Sequence, residues 1–143
     1  MPMWTIYVPE NAYTRQDLQD IANVITDLYE KYVKIPRFYV SVVFHEQPTG
    51  ALFMGGVPAN DFVRIWIDHV VRNLDADTTT VWLGIIDAAL APFIRDRGFN
   101  YEVHGDETPL AFWAINGMTP PPHGSEDEQR WKADNKPSAL TEV

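Results

Sequence analysis

Two stripes of helical period, each set between two strand-like runs, give the chain the outline of one unit used twice. In the first copy, Trp4 to Val8 is rich in aromatic and β-branched residues, a composition that fits a pleated strand. Pro9-Glu10-Asn11 is a turn. Thr14 with Asp17 then resembles a capping box. Leu18, Ile21, Ala22, Ile25, Leu28, Tyr29 and Tyr32 follow at i, i+3, i+4, i+7 spacing and make one apolar helix face. Pro36 bars helix beyond it. Phe38 to Glu46 reads as a strand that is apolar on both faces, so it is expected inside the sheet and covered on both sides.

The second copy begins after the Gln47-Pro48-Thr49-Gly50 turn and the short piece Leu52-Phe53-Met54 with Gly55-Gly56. Phe62 to Val70 is a strand with Arg64, Trp66 and Asp68 on one face and Ile65, Ile67 and His69 on the other. An N-cap between Asp75 and Thr80 opens a helix with the stripe Leu83, Ile86, Leu90 and Ile94. It is expected to reach Arg97 before Gly98 and to kink at Pro92, where the bond to Ala88 is lost. Tyr101 to Gly105 is a short strand.

A helical crossover between two strands of one sheet implies a parallel, right-handed pair. The predicted fold is therefore α/β (α+β two-layer), a tandem βαβ repeat forming one four-stranded sheet with both helices on one face. The 143 residues suit a single domain. Its parts are repeat 1 over about 2–56, repeat 2 over about 57–108 and a C-terminal extension over about 109–143. The helix-free face carries aromatics and needs cover, which predicts an oligomer. In the extension, a helical turn is expected before Asn116-Gly117. Pro120-Pro121-Pro122 is extended, and Ser125 with Glu128 caps a short polar helix holding Trp131. The last residues are expected to be loose.

Acidic residues outnumber basic ones by 20 to 11, for a net charge of −9. That argues against nucleic acid or an anionic membrane as partner, since both need basic patches. There is no cysteine, hence no disulfide and no thiol nucleophile. No secretory apolar segment is visible, so a cytoplasmic protein is expected. The chain holds no GxGxxG, P-loop, HExxH or GxSxG, and no two histidines stand at metal-ligand spacing. Neither metal nor cofactor is expected.

Chemistry is expected instead at Pro2, directly behind Met1 and directly before a strand. Without Met1, Pro2 has a free secondary amine. An α-amino group titrates near 8, and burial or a neighbouring positive charge would bring it down toward a neutral-pH base. Around this residue stand Ile6-Tyr7-Val8, Ile25-Thr26-Asp27 and Glu46-Gln47-Pro48 running through Gly50 to Gly55-Gly56, with Pro109, Gly117, Pro120 and Gly124 beyond. On these residues the chain resembles the tautomerase superfamily, in its cis-3-chloroacrylic acid dehalogenase-like branch, as far as about Trp131. The resemblance implies a freed N-terminal Pro as the catalytic residue, two βαβ units and a homotrimer. It also matches Arg72 to the first of two arginines that hold a substrate carboxylate. The second position falls on Asp75. A helix histidine is replaced by Tyr29, a late-strand tyrosine by Val103 beside His104, and a water-activating glutamate by Ile115 beside Asn116.

The activity so implied is keto–enol proton transfer on a small 2-oxo or enol carboxylic acid. Pro2 is the general base, and Tyr29 and His104 are candidate catalytic donors. Arg72, Arg64, His69 and Asn116 are candidate substrate-binding residues. The same residues have plainer roles: Tyr29 in the core, Arg64 paired with Asp68, His69 as a satisfied buried histidine, Asn116 in a turn. Two other functions stay open: hydration, dehalogenation or decarboxylation of a three-carbon acid with Pro2 protonated, and a trimer that binds another protein. The expected partners are a small carboxylate substrate and further copies of the chain.

Overall fold

The computed structural model describes residues 1–141. Strands are β1 (Met3–Pro9), β2 (Ser41–Gln47), β3 (Phe53–Met54), β4 (Val57–Pro58), β5 (Phe62–Val70) and β6 (Asn100–Thr108). Helices are α1 (Arg15–Leu28), α2 (Ala76–Leu90) and α3 (Glu126–Asp134). The main sheet runs β2-β1-β5-β6, and β3 with β4 forms a separate small hairpin. β1 pairs parallel with β2, and β5 parallel with β6. The two βαβ units join antiparallel through β1 and β5, with Trp4 opposite Ile67 and Ile6 opposite Ile65. The units enter the sheet alike: the Pro2 carbonyl accepts the Ser41 N–H at 3.0 Å, and the Asp61 carbonyl accepts the Asn100 N–H at 2.9 Å.

Strand alternation decides the two faces. Trp4, Ile6 and Val8 of β1 and Val63, Ile65 and Ile67 of β5 are buried against Ile21 and Ile25 of α1 and Ile86 and Leu90 of α2, in one apolar core. The other face carries Tyr7, stacked on His45 at 5.1 Å, and Trp66, stacked on His104 at 5.8 Å. Trp66 remains 43% exposed there.

Several elements depart from the sequence reading. β2 is an edge strand, not a central one, because the antiparallel join puts the first strand of each unit in the middle. It also starts later, at Ser41, after a 3₁₀ turn over Arg37–Tyr39. That turn sends Phe38 and Tyr39 onto Trp131, with ring centroids 6.0 and 6.4 Å away, so part of the apolar run serves the extension rather than a second sheet face. α2 ends at Leu90 instead of kinking. Pro92 has no N–H to continue the ladder, and the chain passes through a 3₁₀ turn at Arg95–Arg97 to Gly98, at φ 83°. Leu83 is exposed, since the inward row of α2 is Trp82, Ile86 and Leu90 at four-residue steps. β6 is longer than its side chains indicate, because it pairs with β5 from Asn100 to Thr108.

In the extension, Ser125 caps α3 by accepting the Glu128 N–H, but the Glu128 carboxylate turns to the Gly124 N–H. The tail is tied down rather than loose as far as Thr141. Trp131 is fully buried and its Nε1 donates to the Ser138 carbonyl at 2.9 Å, while Asp127 accepts from Thr141. Residues 142–143 lie outside the described residues. Among the described residues no helix is long and apolar enough to cross a membrane.

Candidate active site

The antiparallel β1–β5 pair carries the end of β5 past the start of β1, with Met3 opposite Asp68. His69 and Arg72 are thereby delivered to the chain's N-terminus. Two helix ends close the space. α1 gives way to a π-helical turn over Tyr29–Val33, which ends at Lys34 in the left-handed conformation, φ 65°. α2 starts at Asp75, whose carboxylate accepts the Thr78 N–H at 2.7 Å and is held below the usual carboxylate range by it. Between these elements lies a cavity of about 480 Å³ whose wall includes Pro2, Tyr29, His69, Arg72, Trp82 and His123.

Pro2 is fully buried and is held by its carbonyl to β2. Burial pulls the amine of Met1 down from 8.0 to about 5. The Arg72 charge adds to that, and Glu128 and Asp68 oppose it. The space around the start of β1 therefore favours a neutral amine. Arg37, Arg64, Arg95, Arg97 and Arg130 each pair with a carboxylate, and among the described residues Arg72 does not. Its backbone N–H is fixed by Glu107 Oε2 at 2.9 Å, which sets the chain direction where its side chain meets the cavity. Glu107 Oε1 also stands 3.7 Å from His69 Nε2. Burial lowers the His69 pKa, Glu107 opposes this, and the N-terminus and Arg72 reinforce it. His69 is thus biased toward the neutral imidazole.

Tyr29 is both core and cavity wall. It is 3% exposed, packs edge-on against Trp4 and Trp82, and accepts the Trp4 Nε1–H at 3.0 Å. Burial raises its pKa, so it stays a phenol with a proton to donate.

The cavity brings together Pro2, Tyr29, His69 and Arg72. Within one chain it leaves out Arg64, His104 and Asn116. Arg64 and His104 lie on the helix-free face, bonded to each other, and Arg64 pairs with Glu102 across the strands rather than with Asp68. Asp68 accepts instead from Thr108. Asn116, at φ 51°, turns the chain between Ile115 and Met118. Sequence reasoning missed Trp82, which is not part of the stripe Leu83, Ile86, Leu90 and Ile94, and His123. It gave Glu128 only a capping role. Asp75, at the position of the second arginine, is occupied as a helix cap. Among the described residues no group of three His, Asp or Glu side chains is placed to hold a metal ion.

The family described as "Putative oxalocrotonate tautomerase enzyme" matches residues 1–136. The solved structure of native RhCC from Rhodococcus jostii is 40% identical, over 96% of this chain and 99% of that one, with a TM-score of 0.93. A probable enzyme from the thermophilic fungus Aspergillus fumigatus is 36% identical, over 98% of each chain, with a TM-score of 0.91. N1, a member of the cis-3-chloroacrylic acid dehalogenase family, shares the fold at 21% identity, over 93% of this chain and 97% of that one, with a TM-score of 0.75. No curated protein matches the sequence.

Proposed function

The chain belongs to this oxalocrotonate tautomerase family, and from that premise we propose that it catalyses keto–enol proton transfer on a small 2-oxo or enol carboxylic acid without a cofactor. The carrying observation is the buried start of β1, set in a cavity beside an arginine that pairs with no carboxylate among the described residues. Removal of Met1 leaves the secondary amine of Pro2 in surroundings that disfavour its charged form. In protein that keeps Met1, burial and Arg72 lower the Met1 amine, and the proposal extends the same two influences to Pro2. Pro2 then takes a proton as general base. Arg72 holds the substrate carboxylate through paired N–H donors, and the Tyr29 hydroxyl donates to the oxygen that gains charge as the enolate forms.

The burial of Pro2 in a cavity that also holds Arg72 supports this reading over water addition, which needs Pro2 protonated. A trimer is part of the proposal, because Trp66 and the polar residues around it leave the helix-free face uncovered in one chain.

The test is ketonisation of phenylenolpyruvate by protein whose mass shows loss of Met1. Pro2→Ala is expected to lower kcat/KM about 100-fold or more, the usual share of a general base. A variant as fast as wild type would sink the proposal. The wild-type kcat/KM should rise with pH through a pKa below 8, as the amine loses its proton.

A further inference from the structure

Of the titratable side chains in the cavity wall that the mechanism above does not use, His123 is the one held by a buried carboxylate. His123 follows Pro120 and Pro121, both buried, so a stiff segment fixes where it arrives. Its Nδ1 lies 3.1 Å from Glu128 Oε1. Glu128 is 2% exposed, and its second oxygen accepts the Gly124 N–H at 3.1 Å. The carboxylate is thus held from two sides. A carboxylate on Nδ1 fixes the tautomer with Nδ1–H and leaves Nε2 for a ligand. The ring itself is half exposed and lines the cavity that holds Pro2 and Arg72.

We propose that His123, oriented by the buried Glu128, is a second proton-transfer group of this cavity and acts on the substrate together with Pro2. The inference rests on the proposed tautomerase reading. In the ketonising direction, the Pro2 nitrogen accepts the proton of the enol hydroxyl and the carbonyl forms. The C=C electron pair takes a proton from Nε2 of the imidazolium, so one O–H bond is lost and one C–H bond made. Amine and imidazole regain their starting states by proton exchange through water. Glu128 steadies the imidazolium between turnovers, as a buried carboxylate does for a catalytic histidine. The other charged or titratable groups that line this cavity are the N-terminal amine, Tyr29 and Tyr32 from the π-helical turn, Lys34 after it, and His69 and Arg72 from the end of β5. His69 is a poor proton donor there, since its surroundings favour the neutral ring.

The experiment compares full-length, Met1-free wild type with His123→Gln, Glu128→Gln and Pro2→Ala, using phenylenolpyruvate across pH and a thermal melt of each. His123→Gln is expected to lower kcat about 100-fold with KM and Tm held, and to erase the falling alkaline limb of the rate profile. Glu128→Gln should give a smaller drop, about 10-fold, because the histidine remains and only its orientation loosens. If His123→Gln keeps the wild-type kcat and both limbs while Pro2→Ala collapses, the histidine inference is overturned and the tautomerase reading stands. If Pro2→Ala also keeps full rate, the tautomerase reading itself fails. Ring ¹⁵N resonances give a readout apart from turnover. Nε2 of His123 should move when phenylpyruvate binds, and an unmoved resonance at saturation would overturn the inference.

Discussion

At the scale of single residues, Tyr29 and Arg72 carry opposite kinds of risk. Tyr29→Phe keeps the ring packing but strands the Trp4 N–H in the core. The expected cost is about 1–3 kcal/mol, visible as a lower Tm together with a lower kcat. Arg72→Ala removes a side chain that pairs with no carboxylate among the described residues, so stability should hold while KM for the acid rises by about 10- to 100-fold, the share of a charged hydrogen-bonded pair. The amine adds a pH signature in protein that retains Met1. Between about 5 and 8 the unfolded chain holds the proton and the folded chain does not. Stability therefore rises with pH across that window and falls again on acidification, which melts at stepped pH will read directly. Pro2 and Arg72 were legible in the sequence as cavity residues, Pro2 by its place directly before a strand and Arg72 by its match to the tautomerase pattern. Arg64 and His104 were not, because alternation tells which residues share a face but not which face the cavity opens on. Tyr29 is the core residue of one sequence reading and also reaches the cavity that the other needs, since the π-helical turn puts a core tyrosine at its edge.

At the scale of elements, what separates the legible from the illegible is distance along the chain. Thr14, Asp75 and Ser125 act through neighbours three residues away, and each accepts the N–H that its local pattern indicates. β2 looks central by composition and is an edge strand, since its place depends on how two distant units meet. Trp82 displaces Leu83 from the inward row for a similar reason: periodicity allows either phase, and the core of Trp4 and Tyr29 selects one. Asp75 is the test at this scale. Asp75→Ala is expected to cost about 1 kcal/mol by loss of the cap. It should also loosen the first turns of α2, which wall the cavity through Thr78 and Trp82, so KM should rise with little change in the pH profile.

At the scale of the whole molecule, a chain built from two like halves has two like ends. At one of them the polypeptide begins, and Pro2 bonds to Ser41. At the other, Asp61 makes the equivalent bond to Asn100, but there the backbone simply continues through it. Asp61 can never offer an amine. The pseudo-symmetry of the sheet is thus broken by connectivity rather than by any side chain. Fusing two units into one polypeptide spends one terminus to secure the pairing of β1 with β5. The stoichiometry follows: each polypeptide supplies a single main-chain amine, however many poles its sheet presents. In protein freed of Met1, an amine-directed reagent should mark Pro2 at one equivalent per chain in a peptide map that separates it from the four lysines, and a three-chain assembly would hold three working centres and three closed ones.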